Sequence, residues 1–135
     1  MTTHTLAILG FGTVGSGVYR IATENHDDIL HREQLHLRVG RILVRDFEHE
    51  PNLHLAPRAL FTTSVDEILN DGGIDIVVEC MGGVEPARTF ILRALESGKT
   101  VVTSNKEVMS KHWYEFEAAA KASGAGLYLE ATVGG

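Results

Sequence analysis

The chain has 135 residues, 44% hydrophobic and 22% charged, with a formal net charge of -6. That length suits one domain with a single core; no apolar run could span a bilayer, and scattered basic residues under an acidic balance argue against a nucleic-acid platform. Cys80 is the sole cysteine, which excludes an internal disulfide framework, and with no secretory signal after Met1 the expectation is a cytoplasmic protein.

Short apolar runs alternate with helical patterns along the whole chain. Thr5-Leu6-Ala7-Ile8-Leu9 reads as a strand, followed by a helix with Val14, Val18 and Ile21 on one face. A second strand is expected near Leu37 to Arg45 and a brief third near Ala59 to Thr62. Ser64 and Glu67 suit the cap of a short helix ending at Asp71, stopped by Gly72-Gly73. Ile74 to Glu79 is the fourth strand. A helix from Pro86 to Ser97 follows, opened by a first-turn proline and closed by Gly98. Thr100-Val101-Val102-Thr103 leads into a helix beginning near Ser104, and Gly126 to Ala131 makes a sixth strand. Strands apolar on both faces and separated by helices imply an α/β fold, a doubly wound parallel sheet of about six strands covered on both sides. Such sheets bind ligands beyond the carboxyl ends of the strands, where the strand order reverses.

The strongest motif is Gly10-Phe11-Gly12-Thr13-Val14-Gly15, a G-x-G-x-x-G directly after the first strand and opening a helix. Gly10 suits the tight turn, Gly12 the close approach of backbone to a pyrophosphate, and Gly15 the packing of helix on sheet. The amino end of the helix then faces the pyrophosphate. Gly17 suggests further close packing. Asp46, beyond the usual spacing of about 20 residues for a ribose-binding acid, would favour NAD. Arg45 beside it would bind a 2′-phosphate and favours NADP, with NAD tolerated. Glu79-Cys80-Met81-Gly82-Gly83 ends the fourth strand in the same crevice, where two glycines let a ring or sugar approach backbone. Cys80 reads as a buried structural thiol. The seven histidines align on no common helical face and suggest no metal site, and Met109, Trp113 and Phe116 read as helix core.

Ser104 with Glu107 forms a capping-box pattern, which makes Ser104 the expected N-cap and puts Lys106 at the second helical position. A cation there works against the helix dipole by roughly 0.3–1 kcal/mol. Either its ammonium reaches into water at little cost, or something anionic or reactive lies in front of the helix.

Taken together, LGFGTVGSGV at Leu9 to Val18, IDIVVECMGG at Ile74 to Gly83, SGKTVVTSNKE at Ser97 to Glu107 and LEATVGG at Leu129 to Gly135 resemble the homoserine dehydrogenases. The resemblance covers nearly the whole chain; the glycines are generic, whereas TSNK and EATVGG in this order are far more specific. It implies a Rossmann-type NAD(P)-binding domain over residues 1–135. It also implies reversible NAD(P)-dependent oxidation of L-homoserine to L-aspartate 4-semialdehyde, towards threonine and methionine. By position, Phe11, Thr13 and Val14 would line the dinucleotide, Arg45 would meet the NADP phosphate, and Gly82, Gly83 and Ser104 would lie near the nicotinamide half. Lys106 would reach the active site and cofactor and assist proton transfer at the substrate oxygen, with a second lysine from the later domain. In the family, a segment like Glu130 to Gly135 supplies a sodium ion with oxygens from the glutamate and from carbonyls near Val133 and Gly135.

Relatives continue into a substrate-binding and dimerisation domain, so a chain stopping at Gly135 is expected to lack activity alone, and the full-length enzyme is expected to be a homo-oligomer through the missing part. Two alternatives stand beside this reading. One is a non-catalytic nucleotide-sensing module, like the regulatory domains attached to potassium channels; the other is a different amino-acid or semialdehyde dehydrogenase of related fold.

Overall fold

The computed structural model describes residues 2–24 and 35–129. Six parallel strands form one sheet: β1 (Thr2–Leu9), β2 (Leu35–Leu43), β3 (Phe61–Thr62), β4 (Ile76–Glu79), β5 (Thr100–Thr103) and β6 (Leu127–Leu129). Their order is β3-β2-β1-β4-β5-β6, which reverses direction between β1 and β4. The helices are α1 (Thr13–Glu24), α2 (Asp66–Leu69), α3 (Ala87–Glu96) and α4 (Lys106–Ser123), with 3-10 turns at Leu53–Leu55 and Arg58–Leu60.

Alternation along the strands divides the core into two layers, as a period of two requires. On β1, Ala7 and Leu9 face one layer, together with Val77, Ile91, Leu95, Val101, Val108 and Phe116. Leu6 and Ile8 face the other, with Phe11, Ile42, Phe61 and Val78. Both layers are therefore filled by the same central strands, and β1 is enclosed on both faces. Where β1 pairs with β2 the register skips Gly40, since Leu6 aligns with Val39 and Ala7 with Arg41. A side chain at that bulge would lie 2.6 Å from the Thr5 methyl group.

The register also brings the carboxyl ends level. Leu9 pairs with Leu43 and Glu79, and Glu79 with Thr103, so the loops that follow open onto one rim.

Several local expectations give way to tertiary contacts. The short helix α2 has no side-chain cap from Ser64. Glu67 instead accepts a hydrogen bond from the Thr62 hydroxyl at 2.6 Å, whose oxygen accepts from the Ser64 N–H. Pro86 is the N-cap of α3 rather than its first-turn residue. The N-cap of α4 is Asn105, whose side-chain oxygen accepts from the Val108 N–H, and Lys106 becomes the first helical residue. His112 (φ -129°, ψ 24°) interrupts α4. Met109 and Phe116 are buried, but Trp113 is 42% exposed and is not core. Among the described residues Gly17 has no neighbour that a methyl group would meet, so they show no close packing there.

A candidate nucleotide-binding site at the switch point

The turn after β1 sits at the reversal of strand order, and its three glycines meet three different surroundings. Gly10 adopts φ +97°, in the region costly for residues with a Cβ. Its N–H donates to Leu43 O at 3.0 Å, and a Cβ there would stand 3.1 Å from both Cys80 O and the Met81 side chain. The turn is thus wedged between the ends of β2 and β4. At Gly15 a Cβ would fall 2.0 Å from Gly10 O and 3.3 Å from an Ile8 methyl, so only glycine lets α1 come this close to its own turn. Gly12 is the opposite case, with nothing among the described residues within 4 Å of its would-be Cβ.

That open face lies before the amino end of α1, which has no acidic residue in its first turn. The Gly12 carbonyl is occupied, accepting from the Ser16 N–H at 3.0 Å and the Ser16 hydroxyl at 2.7 Å. First-turn N–H groups without intrahelical partners, together with the helix dipole, make such an end a receptor for an anion. The space beside it is a cleft of about 560 Å³ bordered by Gly10, Gly12, Arg45, Glu50, Met81 and Gly82. A volume of this order suits a small-molecule ligand.

The other motif residues divide between cleft, core and rim. Phe11 is 2% exposed and its ring packs edge-on against Tyr19 and Phe61, so only its backbone borders the cleft. Thr13 lines a separate groove along α1, Val14 is half-buried, and Arg45 is exposed at the rim. Asp46 is committed locally. One of its oxygens accepts the His49 N–H at 2.7 Å and meets the His49 ring at 2.9 Å; the backbone bond leads in holding its carboxyl below the ordinary value. Burial, reinforced by the charge of Glu79, pushes the Cys80 thiol up to about 12, so it lacks thiolate character at neutral pH.

Beyond β4 the loop through Gly82 (φ +76°) and Gly83 (φ +72°) meets the start of α4. The Asn105 side-chain amide donates to Gly83 O at 2.6 Å, which brings Gly82 and Gly83 beside Ser104 and Lys106. Ser104 is half-buried and Lys106 exposed. The sodium-ligand expectation at Glu130, Val133 and Gly135 lies outside the described residues. Among the described residues no group of three or more His, Cys, Asp or Glu side chains is placed to hold a metal, and no helix is long and apolar enough to cross a membrane.

Sequence reasoning missed several residues that shape the site. Glu50 accepts from the Asn52 N–H at 2.9 Å, and the Asn52 amide donates to Phe11 O at 2.9 Å, fastening the loop after β2 to the glycine turn. Neither belongs to a motif, and the link spans the long loop between β2 and β3. Glu79, Thr103 and Asn105 form a second fastening, across loops separated by α3.

Comparison with known proteins agrees with this geometry. Residues 10–130 match the family model described as homoserine dehydrogenase, NAD binding domain. The homoserine dehydrogenase of Bacillus subtilis is 38% identical over 130 residues, which is 96% of this chain and 30% of that protein. That of Corynebacterium glutamicum is 42% identical over 130 residues, 96% of this chain and 29% of that one. The crystal structure of S. aureus homoserine dehydrogenase at pH 6.0 superposes with a TM-score of 0.87 at 39% identity, covering 97% of this chain and 33% of that one. A hyperthermophilic archaeal homoserine dehydrogenase in complex with NADPH gives 0.75 at 25% identity, covering 96% and 44%. The chain spans about 30% of the length of the curated relatives it matches. On its glycine turn, its strand order and this match over most of its length, the chain belongs to the NAD-binding domain family of the homoserine dehydrogenases.

Proposed function

We propose that residues 1–135 are the cofactor-binding part of a homoserine dehydrogenase, serving the NAD(P)-dependent interconversion of L-homoserine and L-aspartate 4-semialdehyde. The observation that carries this is the contrast between Gly15, where a Cβ would strike backbone, and Gly12, which opens on empty space before α1. The pyrophosphate of the cofactor belongs at that open face. Gly10, Gly12 and the Phe11 backbone border it, Thr13, Val14 and Gly15 supply the first turn of α1 beside it, Arg45 takes a ribose 2′-phosphate, and Gly82, Gly83 and Ser104 flank the nicotinamide half. NADP is the preferred cofactor on the strength of Arg45, whose planar guanidinium suits a phosphate better than a hydroxyl.

When bound, the nicotinamide supplies hydride chemistry. Lys106, exposed beside the Gly82–Gly83 loop, assists proton transfer at the substrate oxygen. Homoserine contacts, the dimer interface and a complete sodium site, with Glu130, Val133 and Gly135 as ligands, need the further length present in the relatives. By itself the chain should not produce NADPH from homoserine.

The test is thermal unfolding with NADPH, NADH or no ligand, alongside Gly12→Val. Ligand at about 100 times its dissociation constant stabilises by about 2.7 kcal/mol. Gly12→Val should keep the ligand-free midpoint and lose the shift, because the added side chain occupies only open space. NADPH should stabilise the wild type more than NADH. Equal shifts in wild type and variant would remove the glycine turn from the binding site. Lys106→Ala should leave the midpoint unchanged and lower kcat in the longer enzyme; unchanged turnover would return Lys106 to an ordinary solvated residue.

A further inference from the structure

Two buried polar side chains stand directly behind the cofactor rim, and neither belongs to the glycine motif. Glu79, the last residue of β4, is 1% exposed, and Thr103, the last of β5, is likewise 1% exposed. They are register partners on adjacent strands. A carboxylate placed this deep needs donors around it, and Glu79 has three. One oxygen accepts the Met81 N–H at 2.7 Å and the Gly82 N–H at 3.1 Å; the other accepts the Thr103 hydroxyl at 2.6 Å.

The chain of bonds continues past Thr103. Its hydroxyl oxygen accepts the Asn105 N–H at 2.9 Å, which leaves the hydroxyl proton for Glu79. The Asn105 side chain is used at both ends, its oxygen capping Val108 N–H and its amide donating to Gly83 O. The result is a closed circuit. It runs from Glu79 through the Gly82–Gly83 loop to Asn105, and back through Thr103 to Glu79. Lys106 is the residue that follows Asn105.

We infer that Glu79 and Thr103 are positioning residues, holding the Gly82–Gly83 loop and the Lys106 end of α4 at one fixed separation so that both address the nicotinamide half of the cofactor. This rests on the cofactor reading above and extends it to residues that touch no ligand. Glycines at positive φ allow the loop many conformations; the carboxylate, by engaging two successive N–H groups, selects one. The threonine hydroxyl then ties that conformation to the next loop. Loss of one buried hydrogen bond of this kind is worth about tenfold in an equilibrium constant.

The experiment uses Thr103→Val, which keeps shape and cuts the link, with Thr103→Ser as the conservative rescue. Each variant of the chain is titrated with NADPH and with 2′,5′-ADP, which carries the adenine half and its phosphate but no nicotinamide. Thr103→Val is expected to bind NADPH about tenfold more weakly, with 2′,5′-ADP affinity within about twofold of wild type. Thr103→Ser is expected to restore NADPH binding. Asn105→Ser keeps a helix cap on the outer side of the circuit and removes the amide to Gly83, so it should give the same selective loss even if the buried substitution fails to fold. Equal weakening of both ligands, or no weakening of NADPH, overturns the inference.

A readout independent of ligand separates this from failure of the cofactor reading. In the ligand-free chain, Thr103→Val should speed exchange of the Val108 amide about tenfold while leaving Val101 unchanged. If the wild type binds neither nucleotide, the cofactor reading fails; Val108 exchange that stays at the wild-type rate overturns the positioning circuit in either case.

Discussion

Replacing Gly15 with alanine isolates the physical demand of the glycine turn from any ligand. The added Cβ would lie 2.0 Å from Gly10 O and 2.9 Å from its carbonyl carbon. Carbon–oxygen contacts are comfortable only at about 3.3–3.6 Å, so the gap must widen by roughly 1.3 Å. Both sides of the contact are backbone, and Gly10 is itself pinned by its bond to Leu43 O, so no flexible side chain can yield. Overpacking of this sort costs about 1–3 kcal/mol, and backbone on both sides puts it at the upper end. Alanine recovers up to about 1 kcal/mol of helix propensity within α1. The net expectation is a loss of about 2 kcal/mol, read by urea denaturation with the slope unchanged. For a chain of this size the thermal midpoint should fall by roughly 6–10 °C. Gly12→Ala, whose Cβ meets nothing, should stay within about 0.5 kcal/mol of wild type. If Gly15→Ala is as stable as wild type, or Gly12→Ala falls as far, the division of labour among the glycines is refuted.

Lys99 is 5% exposed and its amine donates to Asp71 O at 2.6 Å and Ile74 O at 2.8 Å. Lys99→Met strips partners from those carbonyls and should cost about 1–3 kcal/mol in denaturant unfolding; a neutral result would mean that water satisfies both. The Arg88 hydrogen bond leads in holding the Glu115 carboxyl below its ordinary value of 4.5, and the Thr89 hydroxyl does the same for Glu85. Groups depressed in the fold stabilise it above their unfolded values and lose that contribution as pH falls through the folded ones. Unfolding followed below pH 4.5 should therefore show a shallower acid slope in Arg88→Ala, and an identical slope would discount the pair. Cys80, with its thiol raised to about 12, should react with iodoacetamide at about pH 8 far more slowly when folded than in urea. Equal rates would contradict the raised thiol, since the side chain is half-buried and borders the cleft rather than being sealed in the core.

Much of the site was legible because its signals are local. The spacing of Gly10, Gly12 and Gly15 after an apolar strand states a turn and a helix start without reference to the rest of the chain. Apolar strands separated by helices likewise announced a parallel sheet, which the strand order bears out. The errors came where two local solutions compete. Ser104 and Asn105 are both good caps, and Asn105 takes the role because Gly83 O and the Thr103 hydroxyl engage its amide and N–H. Trp113 shares a helical face with Met109 and Phe116 by spacing, but the phase breaks at His112. The groove beside Trp113, with Gly124 and Leu127, lies at the edge strand β6, where no described element covers it.

What the sequence determined by itself, then, was the class of fold, the glycine turn at the switch point and the start of the helix that carries Lys106. Each is written in residues close together in the chain. Only the tertiary structure decided that Phe11 faces the core, that Asp46 is spent on His49, and that Glu79, Thr103 and Asn105 close a circuit. A buried polar group is defined by its partners, and those partners come from distant strands that only the folded sheet sets side by side.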